Sequence, residues 1–152
     1  MSRAERAKEY FLQGYACSQA VALAFADMMG IDEATICKLT LPFGGGMGRL
    51  RLTCGAVSGM ALVIGATKAE AEISPENKKR TYAIVQELCK KFKEQNGSLI
   101  CGELLAGVNA NVEIGGEAEK RTENYYKKRP CAELVACAAN ILESYLKENG
   151  KI

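Results

Sequence analysis

From end to end of this chain, apolar residues return at intervals of three and four and nowhere settle into sustained alternation. A strand that buries one face needs a period of two, and a helix that buries one stripe needs about 3.6. The chain therefore offers no candidate strand, and its apolar surface must be buried by packing helix on helix. Ala4, Ala7 and Phe11 make the first stripe, which Gly14 interrupts. Cys17, Val21, Ala24 and Met28 make the second, predicting a helix over 17–29 that stops at Gly30. Asp32 reads as the cap of a short helix reaching Leu39. The stretch PFGGGMG, from Pro42 to Gly48, is a glycine-rich loop, and Thr53 is expected to cap a helix running to Ala71. Ser74-Pro75-Glu76 combines a cap, a proline at the first helical position and a carboxylate in the first turn. It opens a helix expected to bury Val85, Leu88, Cys89 and Phe92 and to end at Asn96-Gly97. Helical segments are also expected at 101–106, 117–128 and 131–147, the last with a stripe of Leu134, Ala138, Ile141 and Tyr145. The expectation is an all-α, single-domain helical bundle over 1–152, with roughly five to seven helices.

Composition narrows the chemistry. Apolar residues at 48% and charged residues at 25% are ordinary for a globular chain. A net charge of +2, with Lys78-Lys79-Arg80, Lys90-Lys91-Lys93 and Lys127-Lys128-Arg129 interleaved with acids, predicts solvated faces and no nucleic-acid partner. The longest apolar run, Cys54 to Ala66, falls short of the about 20 residues of a membrane span, and the first residues lack a signal peptide's pattern. A cytoplasmic protein, not a membrane protein, is expected. Histidine is absent, which removes Ser-His-Asp and Cys-His catalysis and the commonest general base.

Cysteine is the residue in excess, with 7 in the chain: Cys17, Cys37, Cys54, Cys89, Cys101, Cys131 and Cys137. An odd number in a reducing compartment argues against a disulfide framework, and none forms a CxxC pair. Position along the predicted helices divides them. Cys17, Cys54, Cys101 and Cys131 fall at helix starts, where free amides and the helix dipole favour a thiolate. Arg51 precedes Cys54 and Arg129 precedes Cys131, which pushes the same way. Cys37, Cys89 and Cys137 fall inside helices, as small buried hydrophobes do.

The box TCGAVSG at 53–59, approached by GGGMGR at 44–49, resembles the C-GCAxxG-C-C family of redox-active proteins. The family's lone cysteine corresponds to Cys17 in YACSQAV, and its box to Cys54, Gly55, Ala56 and Gly59. Its two later cysteines correspond to Cys101 in CGELL and Cys131 in PCAELV. The resemblance implies a redox role for the same four cysteines.

Gly55 and Gly59 permit close approach of a second backbone, and GGGMGR lacks the strand and the terminal Lys-Ser/Thr of a phosphate loop. Its amides can still form an anion-holding concavity near Arg49, so Gly55, Gly59 and Arg49 are the candidate cofactor-binding residues. Four bare thiolates cannot share a pocket, because each raises the others' pKa. If Cys17, Cys54, Cys101 and Cys131 all converge on one point, they must hold a cation, zinc or an iron–sulfur cluster. If they meet in pairs, a thiol/disulfide couple suffices, with Cys54 as the expected nucleophile. The leading expectation is a thiol-disulfide oxidoreductase working with a redox partner. The alternatives are a Cys₄ electron-transfer protein and a non-catalytic helical interaction module with buried cysteines. Glycine-lined packing surfaces are also compatible with a homodimer.

Overall fold

A computed structural model describes residues 1–150; Lys151 and Ile152, the end of the expected domain, lie outside the described residues. Among the described residues there are nine α-helices and no strand. They are α1 (Arg3–Leu12), α2 (Cys17–Leu23), α3 (Ala26–Met29), α4 (Glu33–Thr40), α5 (Gly55–Lys68), α6 (Pro75–Asn96), α7 (Cys101–Ala106), α8 (Glu123–Lys128) and α9 (Cys131–Glu148). The fold is all-α, with more helices than the five to seven expected.

Part of the excess arises where the helix predicted over 17–29 breaks in two. Phe25 leaves helical geometry at φ −119° and ψ 15°. The Arg3 guanidinium donates to the Ala24 carbonyl at 2.8 Å and lies over the Phe25 ring. A side chain distant in sequence thus takes a carbonyl at the end of α2, and Phe25 is fully buried. The helix expected over 117–128 also shortens to α8, with residues 117–122 non-helical.

The core runs through α1, α2, α5, α6 and α9. Phe11, Phe25, Phe92, Met60, Leu88, Leu142 and Leu146 are its largest fully buried side chains. The stripe on α9 is buried as spaced, with Leu134, Ala138, Ile141 and Tyr145 inside. On α6 the buried stripe is Ile84, Leu88 and Phe92, so Val85 and Cys89 lie at its edge, half-buried.

Helix α5 crosses α2 closely because its box carries glycine. A Cβ at Gly59 would stand 2.7 Å from the Ser18 carbonyl oxygen, and one at Gly55 would stand 3.2 Å from Cys17 Cβ. The first turns of α2 and α5 are therefore pressed together; α2 begins with Cys17, and Cys54 immediately precedes α5.

Candidate functional site

Each of the four cysteines at a predicted helix start stands at a helix N-terminus. Cys17, Cys101 and Cys131 are the first residues of α2, α7 and α9. Cys54 is itself the cap of α5, one position earlier than expected; Thr53 instead pairs with Ile100 in an isolated antiparallel bridge. That bridge clips two cysteine segments together. Cys54 N–H donates to the Leu99 carbonyl at 2.8 Å, and Cys101 N–H donates to the Leu52 carbonyl at 2.6 Å.

The loop before the box supplies the second clamp. Gly45, Gly46, Met47, Gly48, Arg49 and Arg51 all have positive φ, three of them without glycine's freedom. The turns are closed by Arg51 N–H on the Gly45 carbonyl at 3.1 Å and Leu52 N–H on the Gly46 carbonyl at 2.9 Å. Gly46 is packed so tightly that a Cβ there would meet Cys101 Cβ at 2.7 Å. Arg49 is tied across to the segment before α8: its Nη1 donates to the Gly115 carbonyl at 2.7 Å, and its own carbonyl accepts from Gly115 N–H at 2.9 Å.

These elements enclose a cavity of about 300 Å³. Cys17, Cys54, Cys101 and Cys131 all line it, although they come from four separate stretches of chain. Cys37, Cys89 and Cys137 do not line it, and each is half-buried where full burial was expected. Cys137 is held instead by Gln95 and Asn96, with Sγ 3.1 Å from Gln95 Oε1. All seven thiols are free.

The four sulfurs are not equivalent. Cys17 and Cys131 are each the strongest influence on the other's thiol. The neighbouring Cys17 thiol is the largest influence holding the Cys131 thiol down, to about 7; the nearby Arg129 and Arg121 guanidiniums act in the same direction against burial. Cys17 moves the opposite way, well above the ordinary thiol value, because of the neighbouring Cys131 and its own dry surroundings. Burial pushes Cys54 up to about 12, outweighing the Ala56 and Val57 amides that stabilise its thiolate. Cys101 is also raised, first by burial, while Arg51 opposes the shift with Nη1 3.7 Å from Sγ. Burial thus holds the thiol of Cys54, the expected nucleophile, above the ordinary value, and Cys131 is the cavity thiol held below it. Arg51, read as a neighbour of Cys54, serves Cys101 across the bridge.

Among the described residues, no three Cys, Asp or Glu side chains are placed to hold one metal ion. The four cysteines share a cavity, and no three of them are placed as a ligand set.

The model of a family described as "Putative redox-active protein (C_GCAxxG_C_C)" matches residues 15–145. The chain belongs to that family. No curated protein and no solved structure matches it. The C_GCAxxG_C_C match spans all four cavity cysteines and the glycine-rich approach to the box. Within it lie Arg121 and Tyr125, cavity residues that the sequence did not single out. Arg121 donates to the Phe11 carbonyl at 3.2 Å and the Tyr15 carbonyl at 3.1 Å, and its guanidinium lies over the Phe11 and Tyr125 rings. It sits in a polar stretch with no periodicity to mark it. Gly55 lines the cavity, whereas Gly59 serves the α2–α5 crossing.

Proposed function

We propose that this redox-active family member is a cytoplasmic thiol-disulfide protein whose working couple is Cys17 and Cys131. The observation that carries the reading is that Cys17 and Cys131 open two helices that pack together, α2 and α9, and line one cavity, one thiol held low and the other keeping its proton. A low-pKa thiol attacks and its neighbour resolves, which is the division of labour that disulfide exchange requires. The Cys131 thiolate attacks a disulfide, whose S–S bond breaks as one half leaves as a thiolate and takes up a proton. Cys17 then loses its proton and displaces the second half from Cys131. The substrate disulfide ends as two thiols, and the protein's two thiols end as one disulfide. Cys54, buried, and Cys101, half-buried, line the same cavity and serve as a reserve pair whose higher proton affinity keeps them out of the first step.

Mild oxidation of the reduced protein with diamide, followed by peptide mass spectrometry, tests the reading. The expected result is loss of two thiols and a single cross-linked species joining the Cys17 and Cys131 peptides. Seven persisting thiols, or oxidation that leaves Cys17 and Cys131 unpaired, would end it. Supporting the compartment assignment, no helix among the described residues is long and apolar enough to cross a membrane.

A further inference from the structure

The cavity holds more positive charge than its thiols and carboxylates account for. Four arginines line it, Arg49, Arg51, Arg121 and Arg129, and the one carboxylate among its lining residues is Glu119. Glu119 is already engaged by Arg129. Among the described residues, the other three guanidiniums reach only backbone carbonyls, aromatic faces or sulfur. Arg49 donates to Gly115, Arg51 to the Glu113 carbonyl at 3.0 Å and to Cys101, and Arg121 to Phe11 and Tyr15. A carbonyl satisfies an N–H but does not neutralise a guanidinium. One Cys131 thiolate offsets one charge and leaves the rest.

Two of these guanidiniums also carry unused donors. Arg51 is 6% exposed and its Nη2 has no hydrogen-bond partner; the Arg129 side chain is 5% exposed and its Nε is equally unpartnered. Buried donors are paired almost without exception, and an arginine left with a free donor in a dry site is poised for an acceptor from outside the chain. Guanidinium favours planar oxyanions, above all carboxylates. Both arginines line the cavity that the cysteines line. Arg51 is held there at a positive φ of 61°, at the end of a run of turns whose left-handed geometry aims the side chain back toward Cys101.

We infer that the cavity is a substrate site for a small carboxylate-bearing disulfide, its carboxylate received by Arg51 and Arg129 and its sulfurs presented to Cys131. This rests on the thiol-disulfide reading and adds the substrate class to it. A volume of about 300 Å³ lies at the small end of ligand pockets, so the substrate is amino-acid-sized and not a folded partner's loop. The exchange is the one already balanced above: one substrate S–S bond breaks, two carboxylate-bearing thiols leave, and the Cys17–Cys131 bond forms. A dithiol reductant returns the protein to its starting state. One turnover needs only the reduced protein and the disulfide.

The test compares three small disulfides of similar size and different charge against pre-reduced protein at one ionic strength. They are dianionic 3,3′-dithiodipropionate, neutral bis(2-hydroxyethyl) disulfide and dicationic cystamine. The rate of Cys17–Cys131 bond formation is expected to be about tenfold higher with the dianion than with the neutral probe, and lowest with the dication. In Arg51→Gln and in Arg129→Gln, each checked for native helicity by circular dichroism, the dianion-to-neutral ratio falls toward one. A ratio is read because either substitution also changes the thiols themselves. Equal rates for the three probes, or a ratio unmoved in both variants, overturn the inference. Octanedioate, a dicarboxylate of the same length without sulfur, separates the two levels of the reading by calorimetry. If it binds while no disulfide reacts, the oxyanion site stands and the redox reading falls. If disulfides react and octanedioate does not bind, the redox reading stands and the substrate class falls.

Discussion

Cys131 and Cys54 both stand at helix starts, yet they end on opposite sides of the ordinary thiol value. The dipole of a helix terminus acts on both, so it cannot be what separates them. The difference lies in what else surrounds each sulfur. Cys131 is lowered by its neighbour Cys17 and by Arg129 and Arg121, whereas Cys54 meets two amides of its own helix and is otherwise dry. Iodoacetamide labelling read at the peptide level should therefore give Cys131 a rate that is half-maximal near pH 7, with Cys54 unlabelled at pH 8. Cys17→Ala removes the largest of the lowering influences and should move the Cys131 midpoint upward; an unchanged midpoint would deny Cys17 that role. The linkage has a definite sign. Because Cys131 is lowered in the fold, its thiolate stabilises the native state at pH above the unfolded thiol value. That contribution is lost as pH falls through about 7. Cys54 behaves in reverse: its protonated form favours the fold below the unfolded value, and that contribution disappears as pH climbs through about 12.

At the scale of the element, α5 shows how one residue type plays two parts within a single helix. Gly59 faces the Ser18 carbonyl, where a Cβ would stand at 2.7 Å, whereas a Cβ at Gly65 would meet nothing within 4 Å. Gly59→Ala is expected to force α2 and α5 apart and cost about 1–3 kcal/mol in urea denaturation, as overpacking does. Gly65→Ala should instead stabilise the protein by about 0.5–1 kcal/mol, the helix-propensity difference alone. Equal effects at the two positions would mean that the crossing is looser than a 2.7 Å approach to the Ser18 carbonyl implies. The sequence could mark both glycines but not sort them, because helical spacing does not reveal which partner lies opposite. The same boundary separates what was legible elsewhere. The stripe of α9 and the start of α6 follow from local spacing and capping and were readable. The break at Phe25 depends on Arg3, from another helix, and was not. Four helix-start cysteines could be picked out by position, but their ranking could not. Arg51 is near Cys54 in sequence and near Cys101 in space, and only the bridge between Thr53 and Ile100 makes that exchange.

For the whole molecule, the Cys17–Cys131 pair joins the second helix to the last, so its oxidation would close about three quarters of the chain into one loop. A bond across about 100 residues lowers the entropy of the unfolded chain by an amount worth about 4.7 kcal/mol in the chain-entropy model, before any strain in the folded state is subtracted. Little strain is expected, because the two cysteines line one cavity and the helices bearing them pack together in the core. The oxidised protein should therefore unfold at a distinctly higher urea concentration than the reduced one, with the gain absent from Cys17→Ser and Cys131→Ser and retained in Cys54→Ser. A Cys54–Cys101 bond would give a different signature, since it encloses a loop less than half as long and ties segments that the Thr53–Ile100 bridge already holds together. Such a bond would give a smaller gain, removed by Cys54→Ser. Comparing the midpoints of the three variants in both redox states thus identifies which pair of sulfurs the fold closes. A gain that survives in Cys131→Ser would move the redox couple away from the α2–α9 contact. A stabilised oxidised state also sets the direction of the chemistry. The more the fold favours its own disulfide, the more strongly the reduced protein donates electrons, which is the sense required to open a substrate's disulfide.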